Sequence, residues 1–157
     1  MNISKKSLAI GMICFFVTSI STISWADSLP CEKNFTVKDG LFDKKIYKTW
    51  EDLLALTPQM IFMRTYALLV KDGWLINFTD KEAGVILASQ QEGSAGEGGK
   101  VAPLNIFIEN AGNYFGGIRG GFRITMTFAV PSGLHANEDM VRKNFCETLA
   151  AIKKGPY

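Results

Sequence analysis

The sequence predicts an α+β fold, a two-layer sandwich whose antiparallel sheet of three to five strands carries two main helices on one face. Three observations predict it. Thr57-Pro58 opens an apolar run from Met60 to Val70 that Asp72-Gly73 closes, the pattern of a buried helix. Leu104, Ile106 and Ile108, and then Phe122, Ile124, Met126, Phe128 and Val130, recur at every second position, the period of a strand. Asn137 caps a second helical stripe made of Val141, Phe145, Leu149 and Ile152.

The chain begins with a segment that does not belong to the fold. Lys5 and Lys6 precede an apolar stretch from Leu8 to Ile23, and Ser24-Trp25-Ala26 supplies the small residues of a cleavage site. Residues 1–26 therefore read as a signal peptide, with 27–157 as one α+β domain of roughly 131 residues. Cys14 does not make a lipid-attachment site, because Ile13 stands where a small residue is needed. Export places the protein in the periplasm or outside the cell.

Asp27 to Lys38 shows no sustained period and reads as an irregular arm pinned by Cys31. Leu41, Phe42, Ile46 and Tyr47 suit a short strand with Lys44, Lys45 and Lys48 turned outward. Thr49 to Leu54 then opens like a helical turn running to Leu56, with Thr49 as cap and Glu51 and Asp52 in the first turn. In the helix that follows, Thr57, Arg64 and Lys71 form one narrow polar edge. Trp74, Ile76 and Phe78 alternate with Leu75, Asn77 and Thr79, so the next strand has one strongly apolar face. Thr79 to Gly84 is a hairpin turn, and Val85 to Ala88 is a short buried strand.

Gln90 to Lys100 is glycine-rich and reads as a loop. It holds no phosphate cradle, since Val101 follows Lys100 where a hydroxyl residue is required. Asn110 to Gly121 is a second glycine-rich connection, and Pro131-Ser132-Gly133 ends the strand after it. Glu138 and Asp139 start the last helix, Lys153 and Lys154 finish it, and Gly155-Pro156 stops it. No internal repeat or domain linker is present.

Composition excludes some functions. Lys5 and Lys6 account for the whole excess of 17 basic over 15 acidic residues, so the exported chain is neutral. Neutrality argues against nucleic-acid binding, which needs a basic surplus on one face. Cys31 and Cys146 are the two cysteines beyond the leader, and an even count in an oxidising compartment predicts a disulfide between them. It closes a loop of roughly 115 residues, worth on the order of 4–5 kcal/mol.

No reaction centre emerges. His135, the single histidine, lies in a strand-to-helix turn, and the acid pairs Glu51-Asp52 and Glu138-Asp139 are explained by first helical turns. Catalytic residues, metal ligands and cofactors are all expected to be none. Asn34-Phe35-Thr36 and Asn77-Phe78-Thr79 match the glycosylation sequon, which carries no meaning in a bacterial host. Tyr114, Phe115, Arg119 and Arg123 place aromatic and basic side chains on or beside a glycine-rich loop, and form the candidate contact surface.

Leu69-Val70-Lys71-Asp72-Gly73-Trp74, followed by Thr79 to Ser89, resembles a stretch of small bacterial envelope proteins related to the BamC lipoprotein. There a helix feeds a strand, a D-x-x-x-G turn and a second strand. The resemblance covers about a third of the exported chain. It implies a helix-grip-like domain with an accessory role at the envelope, exercised through protein contacts. Lacking a lipid-attachment motif and carrying the Cys31/Cys146 pair, this chain departs from that lipoprotein.

The expectation is a non-enzymatic exported protein that binds another envelope protein, with no span left in the membrane after leader removal. The alternative is a carrier of a small apolar ligand, in a pocket between helix and sheet lined by Phe62, Tyr66, Phe122 or Met126. A hydrolase ranks third, since it needs His135 beside an acid and a nucleophile.

Overall fold

The computed structural model describes residues 30–40, 44–92, 100–112 and 121–155, without the side chains of Gln91, Glu92 and Lys100. The expected leader lies outside them. Along the chain run α1 (Pro30–Lys33), β1 (Thr36–Asp39), β2 (Lys45–Leu53), α2 (Pro58–Lys71), β3 (Leu75–Asp80), β4 (Val85–Glu92), β5 (Lys100–Asn110), β6 (Phe122–Val130) and α3 (Glu138–Lys154). The fold is α+β, with a six-stranded sheet ordered β1-β2-β6-β5-β4-β3. Every neighbouring pair is antiparallel. After β2 the chain passes through α2 to the far edge strand β3. It then returns as a meander until β6 pairs with β2.

The sheet is wider than the three to five strands expected because Thr36 to Asp39 adds an edge strand, and β2 is longer than expected because it continues through Thr49 to Leu53. Thr49 to Leu53 is the second half of β2, not a helical turn. The capping pattern there is real in sequence, but nine residues of β2 pair in unbroken register with β6, from Lys45↔Val130 to Leu53↔Phe122. The arm before it is also not irregular. Pro30 to Lys33 forms α1, and Thr36 to Asp39 pairs with β2 as an edge strand. Leu41 and Phe42, expected in the first strand, lie outside the described residues; Lys44, Lys45 and Lys48 are exposed as expected.

The other two expected helix starts, at Thr57 and Asn137, hold. The Thr57 hydroxyl accepts from the Met60 N–H, and the Asn137 side chain accepts from the Met140 N–H, each satisfying a donor the helix itself leaves open. Gly73 follows α2 at φ +80°, as the Asp72-Gly73 stop requires. At the hairpin turn Asp80 Oδ1 accepts from the N–H groups of Glu82 and Ala83. Gly84 closes that turn at φ +69°, and a Cβ there would lie 2.3 Å from the Ile108 carbonyl oxygen. Only glycine fits so close to β5.

One core joins the helices to the sheet. Ile61, Phe62 and Leu69 of α2 and Val141, Phe145, Leu149 and Ile152 of α3 are buried against the sheet residues Tyr47, Ile86, Leu104, Ile106, Ile124 and Met126. Cys31 and Cys146 stand at disulfide distance, 2.03 Å between sulfurs, linking α1 to α3. The Thr49 hydroxyl, fully buried, donates to the Cys31 carbonyl at 2.8 Å. Among the described residues, no helix is long and apolar enough to cross a membrane.

Candidate functional site

The antiparallel registers sort every strand residue onto one of two faces, since paired residues share a face. The inner face bears Tyr47, Thr49 and Glu51, then Ile124, Met126 and Phe128, then Leu104, Ile106 and Ile108. All are buried. The outer face follows from the intervening rows. One row runs Lys48, Thr127, Asn105, Leu87 and Phe78; the next runs Trp50, Thr125, Phe107, Val85 and Asp80.

This outer face is unusually apolar for a surface. Phe78 is 52% exposed, Phe107 44%, Leu75 57% and Val101 49%. Trp50, Val85 and Leu87 lie between them, half-buried. Strands open on one side ordinarily alternate apolar-in with polar-out. Here α2 and α3 join the inner face, and these outer side chains gain nothing from the core. Charge lies around the apolar residues, with Lys38 and Lys48 toward the β1–β2 side, Asp80 at the β3 side, and the row Asp52, Arg123 and Glu109 across one end of β2, β6 and β5.

Phe78 reaches this face through a bulge. The register of β3 shifts between Ile76 and Phe78, so Asn77 is the extra residue. Ile76 pairs with inward Ala88, whereas Phe78 pairs with outward Leu87. The expected single apolar face of Trp74, Ile76 and Phe78 is thereby split: Trp74 packs edge-on against Phe128 in the core at 5.9 Å, and Phe78 points away. Ser89 Oγ donates to Asn77 Oδ1 at 3.3 Å, giving the bulged side chain a partner on β4.

Of the expected contact surface, Tyr114, Phe115 and Arg119 lie outside the described residues. Arg123 is on β6 at one end of the outer face. Its Nε and Nη2 donate to the two carboxylate oxygens of Asp52 at 2.8 and 3.0 Å. Its guanidinium stacks 3.8 Å from the centre of the Trp50 ring. The arginine is thus held flat beside the apolar patch by a bidentate pair and a cation–π contact. Asp52 therefore serves this pair and not a helix dipole. Glu51, its neighbour, faces the other way and accepts from Lys153 of α3.

The helix side has an apolar surface too, which corrects the expectation of a helix buried but for one polar edge. Met60, Met63, Tyr66 and Val70 of α2 are exposed and share a stripe. The edge residue Arg64 instead turns into the structure, where Nη1 donates to the carbonyls of Ile152 at 2.8 Å and Lys153 at 3.2 Å.

A cleft of about 700 Å³ opens between the last turn of α2 and the stretch of α3 from Met140 to Ala151. Leu104, Met126, Phe128 and Trp74 form its floor. His135 is at its mouth with Asn137, exposed. Of the residues expected to line such a pocket, Met126 does so. Phe62 is buried in the core, Tyr66 is on the exposed stripe of α2, and Phe122 is half-buried on β6.

Sequence reasoning passed over Phe107, Phe78, Leu75 and Trp50. A signal existed for Phe107, which is apolar in the polar phase of the Leu104-Ile106-Ile108 alternation. None existed for Phe78, whose side is set by the bulge.

No protein-family model matches the chain, and no curated protein matches it. A solved structure of a conserved protein of unknown function from Enterococcus faecalis is similar to it at 12% identity. The match covers 78% of this chain and 76% of that one, with a TM-score of 0.45.

Proposed function

We propose that this is a non-enzymatic protein of the bacterial envelope, exported to the periplasm or beyond, that acts by binding another protein through the outer face of its sheet. The observation that carries the reading is the exposure of Leu75, Phe78, Val101 and Phe107 on that one face. Large apolar side chains gathered on a surface mark an interaction site. Six strands about 4.8 Å apart and roughly eight residues long project on the order of 650 Å². That is comparable with the roughly 800 Å² per partner of a stable interface. The helices on one side and the open sheet on the other make a two-layer arrangement with one layer left to be covered.

Supporting the export part are the leader-like residues 1–26 and the Cys31–Cys146 pair, which persists only where thiols are oxidised. The resemblance to BamC-related envelope proteins points the same way. The apolar residues, with lysines on one margin, Asp80 on the other and the Asp52, Arg123 and Glu109 row at one end, fit a folded partner of complementary layout. Crosslinking in intact cells, followed by recovery of this chain, tests the reading. An envelope protein should be captured by the native chain and lost with Phe78→Asp or Phe107→Asp, both of which should remain folded. Capture that survives both substitutions, or no captured protein, would overturn it.

A further inference from the structure

We propose that the cleft between α2 and α3 is a binding site for a single-chain zwitterionic amphiphile, separate from the outer sheet face. Two helices packed along their length would leave no such space. Here Arg64 ties them at one end. It bonds to the carbonyls of Ile152 and Lys153, and its guanidinium packs over Gly155, where a Cβ would come within 2.8 Å of Nη2. Beyond that knot Leu68, Leu69 and Lys71 of α2, the capping Asp72, and Met140 and Val141 of α3 line the cleft.

The flank of α3 that lines the opening is Asn144, Thr148 and Ala151, at a spacing of four and then three, which is one helical stripe. These side chains are small, and larger ones would fill the gap between the helices. The Thr148 hydroxyl donates to the Asn144 carbonyl of its own helix, which leaves its methyl and its acceptor lone pairs to the cleft.

The polarity of the walls selects the ligand. Above a floor sealed by Leu104 and Met126, the reachable apolar surface is that of Leu68, Trp74 and Met140, with Trp74 edge-on to Phe128. An alkyl chain laid against them leaves water for carbon and sulfur contacts. The mouth instead mixes charges, with Lys71, Asp72 and Glu147 all lining it, the last also 3.9 Å from Lys143. His135, Asn137 and Gln90 add hydrogen-bonding groups. A head carrying both signs matches that rim better than a single charge, which would meet repulsion from one side or the other. The volume of about 700 Å³ sits inside the range of small-molecule sites, roughly 300–1,000 Å³.

The test uses dodecylphosphocholine below its critical micelle concentration, with a bromine-labelled chain as a quencher of tryptophan fluorescence. The purified protein should show saturable quenching, and Trp74→Phe should remove most of it. Ala151→Trp and Thr148→Phe, which fill the cleft from the α3 side, should each weaken binding by at least about tenfold. Phe107→Ser, on the opposite face of the sheet, should leave it unchanged. Dodecyl sulfate and dodecyltrimethylammonium, one charge each, should bind at least about fivefold more weakly than the zwitterion. Absence of saturable quenching, or quenching that survives Trp74→Phe and disappears with Phe107→Ser, would overturn the proposal. Equal binding of all three amphiphiles would overturn the zwitterion assignment.

Discussion

Ile106 and Phe107 are consecutive residues of one strand, and they divide the molecule. Ile106 is fully buried under α2 and α3, while Phe107 is 44% exposed on the other side of the same backbone. The inner face is packed under the helices, save where the cleft between α2 and α3 reaches Leu104, Met126 and Phe128. Its polar members are satisfied at a distance: Thr49 by the Cys31 carbonyl and Glu51 by Lys153. Among the described residues, no buried side-chain nitrogen or oxygen lacks a partner. The outer face is apolar with nothing described upon it. The difference teaches that apolar residues in this sheet have two uses. One set of rows holds the helices to the sheet, and the other leaves Leu75, Phe78, Val101 and Phe107 exposed.

Breaking the inner face should cost far more than altering the outer one. The largest expected loss comes from the link behind the inner face. Replacing Cys31 and Cys146 by serine frees a loop of 115 residues and should lower unfolding free energy by about 4–5 kcal/mol, read from denaturant melts with and without reductant. Ile106→Ala should cost about 3 kcal/mol by the same measurement, because the site is sealed and leaves a cavity. Lys153→Met strands the buried Glu51 carboxylate. A loss of about 2 kcal/mol is expected, smaller than for a fully buried pair because Lys153 is half in water. Adding Glu51→Leu to it should recover most of that loss. Phe107→Ser should change stability by less than about 0.5 kcal/mol while abolishing partner capture. Equal losses for Ile106→Ala and Phe107→Ser would erase the distinction between the two faces.

Much of the frame was legible in the sequence. The Thr57 and Asn137 caps, the Asp72-Gly73 stop and the alternation of β6 are local signals, and local chemistry is what caps, turns and periodicity report. The misread segments share a different property. Thr49-Trp50-Glu51-Asp52 carries a capping residue and early acids, so by local rules it starts a helix. What makes it a strand is β6, more than seventy residues away: Arg123 takes Asp52 at a separation of 71, and Lys153 takes Glu51 at 102. Propensity was overridden by pairing.

The sequence by itself determined the ends of α2 and α3 and the alternation of β5 and β6, because each depends on residues within a turn or a pleat of one another. Only the tertiary structure decided that Phe78 faces outward, that Arg64 knots the helices at one end, and that both described long helices lie on one side of the sheet. A one-residue bulge inverts every side chain after it at little local cost. Its direction is chosen by what the neighbouring strand and the opposing helix can accept.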